Sequence, residues 1–416
     1  MATPCKCKLL VKPCQSGKTA ESINDWINEL SSDTSSHLHN VRKLAIFICD
    51  NSLLLTQQTS CRLDKEIKGS IVTFSSKANI KKINKLSRYI TSNKNINTII
   101  CCGNSRRFRD ITELSNILSL SSDNYILSVY IDEADKILGS KSTRAEVEKW
   151  RSHTSCVKNI IFITATPYES KSDNLVKTFG SLELVKVQSV TSPDYNRLQD
   201  CELIDTSDIP ITNNVEYCAD VFDKYIPDGP HIGDVFFIPA QHGRETHDEM
   251  EKLLLNIGFN CVVKINGDKK EITIKSDDDK CNKIPFTNYN EVSKYLGNYY
   301  HSNNGKENWA MAITGNICIS RGITIQSPEC FISHAIYGPF CASNYKNLYQ
   351  IFARVCGNIC NFPDYIKNGP PKIYTTQRKF NTVCKMEKFA SDLSILSRSY
   401  TIKPIILNEK MINDAF

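Results

Sequence analysis

The sequence of 416 residues lacks long hydrophobic runs. No apolar segment approaches the roughly 20 residues that cross a bilayer, and no charged start followed by an apolar stretch marks a leader. A strong charge bias is also missing, since 51 Lys and Arg against 45 Asp and Glu give a formal charge of +6. This mildly basic balance permits a nucleic-acid partner without requiring one. With 41% hydrophobic and 23% charged residues, we expect a soluble globular protein.

The sequence contains 18 cysteines but lacks the paired C-x-x-C spacing of zinc modules. Metal ligands could be imagined at Cys5, Cys7, Cys14, Cys356 and Cys360. Reduced thiols, buried or at the surface, are the simpler interpretation. We therefore expect an intracellular protein of the cytoplasm or nucleus that has no contact with membranes.

Short apolar runs recur along the chain, with helix-like segments between them. In the first part they lie at 8–11, 44–49, 71–74, 98–102, 126–131 and 160–164. After a polar, turn-rich stretch a second set follows at 235–238, 261–265, 309–314, 330–336 and 372–375. Because the runs are continuous rather than alternating, we expect mainly parallel sheets wrapped by helices. The pattern predicts two α/β domains, at 1–190 and 231–416, joined by a linker region at 191–230.

The segment Lys12–Thr19 reads K-P-C-Q-S-G-K-T and nearly matches the phosphate-binding loop G-x-x-x-x-G-K-[ST]. It follows an apolar strand and precedes a helix candidate, which is the context that this loop requires. Lys18 would reach the β- and γ-phosphates of ATP, and Thr19 would hold Mg²⁺. A surface turn is the alternative. The predicted nucleotide contacts are Pro13, Cys14, Gln15, Ser16, Gly17, Lys18 and Thr19.

A second apolar strand runs directly into the sequence D-E-A-D at Asp132–Asp135. At such a strand end Asp132 would bind Mg²⁺, and Glu133 would orient and deprotonate the attacking water. Two carboxylates at this position could instead cap a helix. Their place at the end of an apolar strand, about 110 residues after G-K-T, favours a nucleotide site.

A third strand ends in T-A-T, and with this motif the chain resembles the superfamily 2 helicases and translocases. Motifs I, II and III of that family occur here in order, at Lys12–Thr19, Asp132–Asp135 and Thr164–Thr166. Weaker matches follow for motifs IV, V and VI, at Gly233–Ala240, Ala312–Gln326 and Asn347–Asn358. In this family the residue at the position of Lys12 is commonly not a glycine.

The resemblance implies two tandem RecA-like domains that clamp ATP and Mg²⁺ and hydrolyse ATP to move along or remodel DNA or RNA. Thr164 and Thr166 would couple the nucleotide site to the nucleic acid. Gly357 occupies the place of the second arginine of motif VI, so Arg354 would stabilise charge on the γ-phosphate with help from Arg321. The implied catalytic residues are Lys18, Asp132, Glu133, Gln350, Arg354 and Arg321.

The resemblance also implies nucleic-acid contacts to the phosphate backbone, which are independent of base sequence. Three arginines cluster just past a strand end in the place of motif Ib, and a solvated basic loop is the alternative for them. The implied contacts are Asn51, Ser52, Asn104, Arg106, Arg107, Arg109, Thr314 and Gly315.

Other classes compete with this interpretation. The DEAD-box RNA helicases are disfavoured because no glutamine precedes Lys12 and because motifs III and VI differ from theirs. A P-loop motor of the DNA-packaging type is one alternative, but it would leave motifs III, V and VI unexplained. A catalytically weak, helicase-like scaffold protein is another, because Gly357 replaces the second arginine of motif VI. Richness in Lys, Asn, Ile and Ser is similar to that of compact proteins from large DNA viruses or from other AT-rich genomes. That likeness implies a virion or viral replication site, within a larger transcription, replication or virion complex.

Overall fold

The computed structural model describes most of the chain. The described residues are 5–31, 41–51, 53–67, 70–76, 78, 80–152, 156–170, 173–241, 243–266, 270–276, 280–286, 292–316, 324–342, 344–399 and 404–411. The chain divides into two compact units. The first comprises Met1–Pro13, Gly17–Val190 and Ala390–Phe416, and the second comprises Cys14–Ser16 and Thr191–Phe389.

The first unit alternates strands and helices. Its strands are Lys6–Val11 (β1), Val41–Cys49 (β2), Ser70–Phe74 (β3), Ile96–Cys102 (β4), Asn124–Ile131 (β5), Val157–Thr164 (β6), Tyr168–Ser170 (β7), Asp173–Asn174 (β8) and Leu182–Leu184 (β9). Its helices are Lys18–Ser31 (α1), Leu53–Glu66 (α2), Ile83–Ser92 (α3), Ser105–Ser119 (α4), Ala134–Ile137 (α5), Lys141–Ser152 (α6) and Leu175–Phe179 (α7).

A parallel sheet forms the centre of the first unit, with the strands in the order β9, β1, β6, β5, β2, β4, β3. The last six residues of β2 are all buried, as expected for a strand that is covered on both faces. Val11 pairs with Thr164, and Ile131 pairs with Phe162. The residues that follow β1, β5 and β6 therefore meet at one edge of the sheet, the edge formed by the carboxyl ends of the strands.

Helices α3 and α4 follow the outer strands β3 and β4 and pack against each other. Apolar residues at helical spacing bury one face of α3, at Ile83, Leu86 and Ile90. The Asn104 side chain caps the start of α4 by accepting a hydrogen bond from the Arg107 backbone N–H at 3.1 Å. Because α3 follows β3, α4 follows β4 and the two strands are parallel, both helices begin at the same carboxyl edge of the sheet.

The second unit contains a second strand and helix set. Its strands are Tyr195–Asn196 (β10), Glu202–Asp205 (β11), Val235–Pro239 (β12), Cys261–Ile265 (β13), Lys270–Lys275 (β14), Cys281–Pro285 (β15), Met311–Gly315 (β16), His334–Ile336 (β17), Gly357–Asn358 (β18) and Lys372–Thr375 (β19). Its helices are Asn214–Tyr225 (α8), Arg244–Ile257 (α9), Val292–Ser302 (α10), Gly305–Asn308 (α11), Tyr345–Phe352 (α12), Pro363–Asn368 (α13) and the beginning of Gln377–Ser399 (α14). None of the helices that the structure describes is long and apolar enough to span a membrane.

The sheet of the second unit runs in the order β11, β19, β17, β12, β16, β13, β14, β15. The first six strands are parallel, and β14 and β15 extend the sheet in antiparallel fashion. A buried apolar cluster joins α8 and α9 to this sheet and includes Val221, Phe236, Met250, Leu254 and Phe259. The second unit is thus also a mainly parallel sheet with helices packed on it.

The boundaries of the second unit differ from those predicted. The predicted linker region 191–230 contains β11, which pairs with β19, and α8, whose Val221 and Phe222 are buried in the core. It is therefore part of the second unit. The sequence signal is weak there because β11 is a short, partly exposed edge strand.

The predicted second domain also ends too late, because the chain returns to the first unit at Ala390. Ser394 Oγ on α14 donates a hydrogen bond of 2.7 Å to the Val11 carbonyl. A last strand, Ile406–Leu407 (β20), pairs antiparallel with β9. Residues 390–411 thus complete the first unit as far as the structure describes them.

Glu387 lies on the part of α14 that belongs to the second unit and is 3% exposed. Its carboxylate accepts hydrogen bonds from the Leu198 N–H at 2.8 Å and from the Tyr195 hydroxyl at 3.1 Å. Burial raises the pKa of Glu387 to about 7, although both hydrogen bonds act in the opposite direction. This acid is a titratable group within the core of the second unit.

Candidate nucleotide and nucleic-acid sites

The loop between β1 and α1 has the backbone conformation of a tight turn that leads into a helix. Gln15 and Gly17 adopt left-handed conformations, with φ of 60° and 90°. Open space surrounds the position of a Cβ on Gly17, so the glycine is required by its backbone angle rather than by crowding. The Glu21 N–H donates to the Gly17 carbonyl at 3.0 Å and so begins α1. Lys18 and Thr19 therefore occupy the first turn of a helix, where anions are favoured.

Lys12, at the position of the missing glycine, is 2% exposed. Its Nζ lies 3.3 Å from Oε2 of Glu21 on α1. Burial lowers the pKa of Lys12, and the nearby Lys18 contributes in the same direction while Glu21 opposes both. The other Glu21 oxygen accepts a hydrogen bond from the Gln188 N–H. Lys12 is thus part of a buried ion pair in the first unit.

Asp132 and Glu133 follow β5 directly. The Asp132 N–H continues the sheet by donating to the Ile48 carbonyl at 2.9 Å, and the Glu133 N–H donates to Asp132 Oδ1 at 3.0 Å. Glu133 has a φ of 50°, a strained conformation for a residue with a side chain and one that is common at functional sites. Burial and the adjacent Glu133 carboxylate raise the pKa of Asp132 to about 7, whereas the ammonium of Lys18 acts to lower it. The loop lysine and this acid therefore influence each other electrostatically.

Thr164 and Thr166 both bind Asp135, the last residue of D-E-A-D. Thr164 Oγ1 donates to Asp135 Oδ1 at 2.7 Å, and Thr166 Oγ1 donates to Oδ2 at 2.9 Å. The Thr166 N–H also donates to Thr164 Oγ1 at 2.9 Å. These bonds join the ends of β5 and β6. No role was predicted for Asp135 from the sequence, although its position in the motif was a signal for one.

Asp50 is a second residue that the sequence analysis missed. It follows β2, and its Oδ2 lies 2.5 Å from Lys136 Nζ on α5. Its other oxygen accepts the Asn51 N–H at 2.8 Å. Asp50 thus connects the segment after β2 to the segment after β5.

The predicted phosphate contacts of the first unit differ in exposure. Asn51 and Asn104 are joined by a side-chain hydrogen bond of 3.1 Å, and Arg106 and Arg109 are exposed on the first turns of α4. Arg107 is only 5% exposed. It pairs with Asp110 at 2.8 Å and stacks over the Phe74 ring, 3.9 Å from its centroid. Its position is that of a core contact, with its charge paired to Asp110. Ser52 lies outside the described residues.

In the second unit, Thr314 and Gly315 end β16. Thr314 is fully buried, and its hydroxyl has no hydrogen-bond partner among the residues that the structure describes. The Gly315 carbonyl accepts from the Ala240 N–H at 2.8 Å, and Asn316 Nδ2 donates to the Ala240 carbonyl at 2.6 Å. The predicted motifs IV and V therefore meet at the end of their strands, with the Thr314 side chain turned away from the surface.

Gln350 and Arg354 lie next to each other in the second unit. Gln350 is on α12, and Arg354 is in the 3-10 turn Ala353–Val355 that follows it. Arg354 Nε donates to the Gln350 carbonyl at 3.1 Å, and Gln326 Nε2 donates to the Arg354 carbonyl at 2.9 Å. Both predicted residues are at most 3% exposed. Arg321 lies outside the described residues.

Gly357 has a φ of 124° and pairs with Asn196 in the short ladder of β10 and β18. L-residues with side chains rarely adopt this angle. The backbone at this position therefore disfavours the second arginine of motif VI.

A basic stretch outside the motifs also escaped the sequence analysis. Between Glu66 and Asp110 the chain has ten Lys and Arg residues and lacks Asp and Glu. Four of these basic side chains are exposed at the start of α3 or on it, namely Lys81, Lys82, Lys85 and Arg88. The sequence signal was an excess of positive charge in this one stretch, which the net charge of +6 for the whole chain does not reveal.

No family model and no curated protein matches the chain. Among solved structures it is similar to the ATP-dependent Type ISP restriction-modification enzyme LlaBIII bound to DNA, with a TM-score of 0.54 and 13% identity. The match covers 94% of this chain, which spans 28% of that enzyme. It is also similar to S. cerevisiae Dbp5 bound to RNA and ADP BeF3, with a TM-score of 0.51 and 13% identity over 100% of this chain and 90% of that one.

These comparisons show the fold. The two mainly parallel sheets flanked by helices match the two tandem RecA-like domains of Dbp5. The fold class predicted from the sequence is therefore confirmed. The chain therefore has a helicase-like fold. The viral origin suggested by composition gains no support from them.

Proposed function

We propose that the chain is an ATP-dependent helicase or translocase that moves along or remodels DNA or RNA. The observation that carries this proposal is the convergence of three motifs at one edge of the first sheet. Lys18 follows β1, the Asp132–Glu133 pair follows β5, and the threonines that bind Asp135 end β6 or follow it. Crevices at the carboxyl ends of parallel strands are the usual ligand sites of such sheets.

ATP hydrolysis requires a cation near the transferred phosphate and a base for the attacking water. Lys18 is proposed as the cation and Glu133 as the base. A water proton passes to the Glu133 carboxylate while the water oxygen attacks the γ-phosphorus. The bond from that phosphorus to the bridging oxygen then breaks, and ADP and phosphate leave. Gln350, Arg354 and Arg321 are proposed from the resemblance to bind the γ-phosphate.

Thr19 and Asp132 are the residues proposed to hold Mg²⁺. A hydroxyl and a carboxylate supply the oxygen ligands that this ion prefers. Burial and the Glu133 carboxylate raise the pKa of Asp132, and a bound cation would act in the opposite direction by favouring the carboxylate. When bound, the ion would neutralise charge on the phosphate oxygens.

The proposed nucleic-acid surface of the first unit consists of Asn51, Asn104, Arg106 and Arg109. The two asparagines are hydrogen-bonded to each other, and the two arginines are exposed at the start of a helix. Contacts of this kind are made to phosphates and depend strongly on salt. Association with a larger transcription or replication complex is proposed from the resemblance alone.

The ATPase rate tests this function. It should be measured with and without single-stranded DNA, single-stranded RNA and duplex, for the wild type, Lys18→Ala and Glu133→Gln. We expect a polynucleotide to stimulate the wild type and both variants to lose activity, while Lys65→Ala, at an exposed lysine of α2, behaves as the wild type. A wild type that neither binds ATP nor differs from the two site variants would instead identify a helicase-like scaffold protein.

Arg354 needs a separate test. Arg354→Ala should retain ATP binding yet reduce turnover by about 10³-fold, as is typical when an arginine finger is lost. Because Arg354 is buried, Arg354→Lys serves as a second variant that preserves charge and most of the volume. Unchanged turnover in both folded variants would remove Arg354 from the site.

A further inference from the structure

A cleft of about 680 Å³ lies in the first unit. One wall is β3, the last strand of the sheet order, with Ile71 and Val72. The others come from α2, with Gln57, and from α3, with Lys85 and Tyr89. Among the residues that the structure describes, none of the proposed nucleotide or phosphate contacts lines the cleft, so its shape and chemistry require a separate explanation.

The described walls are largely apolar but include one exposed aromatic ring. Val72 and Ile80 are 6% and 9% exposed, whereas Tyr89 is 44% exposed. Tyr89 is not needed for the core, since α3 buries its other face through Leu86 and Ile90. An apolar slot beside an exposed aromatic ring suits a flat, unstacked nucleobase.

The charge around the cleft is positive. Lys81, Lys82 and Arg88 are exposed beside Lys85, and the stretch from Ile67 to Arg109 contains no acidic residue. A surface of this sign attracts a polyanion and raises its local concentration. Nucleic acid is therefore favoured over an uncharged ligand.

The cleft is close to the proposed phosphate contacts. Gln57 is in α2, the helix that begins just after Asn51, and Ser75, another lining residue, follows β3 at the carboxyl edge of the sheet. Arg107 connects α4 to this strand end by stacking over Phe74. Arg106, the residue before Arg107, therefore lies on a helix that contacts the end of β3 beside the cleft.

We propose that the cleft receives one unstacked base of a single-stranded nucleic acid whose phosphates Arg106 and Arg109 bind; this rests on the proposed function. Tyr89 stacks on the base, and the exposed Gln57 amide hydrogen-bonds to its edge. A purine is the preferred occupant, because it offers the larger stacking face and because Gln pairs well with the adenine edge. Binding then depends on bases as well as on the backbone.

The test compares dissociation constants for single strands of equal length and equal phosphate number. Oligo(dA), oligo(dT) and a fully abasic strand are titrated by fluorescence anisotropy, with the corresponding RNA strands in parallel. Wild type should bind oligo(dA) about 5- to 150-fold more tightly than the abasic strand, the range typical of one stacked base, with oligo(dT) in between. Tyr89→Ala should bind all three as the wild type binds the abasic strand.

Two further variants serve as controls. Tyr89→Phe keeps the ring and should keep the preference for bases. Leu120→Ala removes an exposed apolar side chain at the other end of α4 and should bind as the wild type does. Matching melting temperatures establish that the Tyr89 variants are folded.

Equal binding of base-containing and abasic strands by the wild type, or a retained preference in Tyr89→Ala, overturns the proposal. An acidic protein segment lying along β3 in place of a base would give the first of these results. In either case the proposed function survives if the strands still bind and stimulate ATP hydrolysis. That function fails if no strand binds or stimulates, or if the wild type neither binds ATP nor differs from Lys18→Ala and Glu133→Gln.

Discussion

The Lys12 ammonium lies 3.3 Å from the Glu21 carboxylate, and both side chains are buried in the first unit. Lys12 occupies the first position of the phosphate-loop pattern, where a glycine would give flexibility. The pair instead connects the end of β1 to α1, and Glu21 also binds the Gln188 backbone. The unusual first residue of the loop, Lys12, therefore forms a buried ion pair with Glu21.

Removal of one partner of this pair should destabilise the first unit. We expect Lys12→Met to lower the free energy of unfolding by about 3–5 kcal/mol, because Glu21 would keep a buried charge without a counterion. The double variant Lys12→Met/Glu21→Gln should lose less, since no charge remains and glutamine still accepts the Gln188 N–H. Urea denaturation followed by circular dichroism gives both values. Equal losses in the two variants would show that the unpaired charge is not the cause.

The bonds from Thr164 and Thr166 to Asp135 should matter for coupling more than for ATP binding. In Thr164→Val/Thr166→Val the shape is nearly preserved, but the half-buried Asp135 carboxylate loses two donors at about 1.5–3 kcal/mol each. We expect ATP to bind as before while polynucleotide stimulation of hydrolysis falls at least tenfold. The matched control is Ala165→Ser, which changes the residue between the two threonines and leaves these bonds intact. Normal stimulation in the double variant would exclude the coupling role.

The three arginines of α4 should respond differently to substitution. Arg106→Gln and Arg109→Gln should each weaken single-strand binding and reduce the slope of log Kd against log salt by about 0.7. Arg107→Gln should leave that slope unchanged and lower stability, because it removes the contacts with Asp110 and the Phe74 ring. Binding titrations at several salt concentrations, with a melting curve for each variant, distinguish the two behaviours. A reduced slope in Arg107→Gln would place its charge on the nucleic acid after all.

Glu387 should make the stability of the second unit depend on pH. Its pKa is about 7 when folded and near 4.5 when unfolded, so the unfolded state loses its proton first as pH rises. Stability from this group should therefore fall between pH 4.5 and 7, by about 3 kcal/mol in total, and stay constant above that. Glu387→Gln removes this loss, so the variant should match the wild type near pH 4.5 and exceed it above pH 7. Urea denaturation at several pH values tests this, and a constant difference would contradict it.

The fold and the first three motifs were accessible from the sequence because each is local. Continuous apolar runs indicate buried parallel strands, and G-K-T, D-E-A-D and T-A-T each follow one of them. The roles of these residues in catalysis stay predictions. Their contacts with one another depend on strand order, which no single segment encodes.

Contacts that depend on side-chain direction could not be predicted. Arg106, Arg107 and Arg109 are close together in sequence, but helical periodicity turns Arg107 inward and leaves the others exposed. Likewise, Lys12 has its partner nine residues away on a helix. The edge strand β11 was missed since half-exposed strands lack a continuous apolar run.

The return of the chain to the first unit at Ala390 has a consequence for how the protein can be divided. Apart from the short loop segment Cys14–Ser16, the second unit is inserted in the first, with covalent connections near Val190 and near Ala390. A fragment that ends at residue 190 would lack β20 and leave the edge of β9 bare, and it would lose the Ser394 bond to the Val11 carbonyl. A single cut near residue 190 would leave the second unit covalently connected, through α14, to residues 390–416 of the first unit. The shortest polypeptide that contains the whole first unit therefore consists of two segments of sequence joined by a short artificial connection.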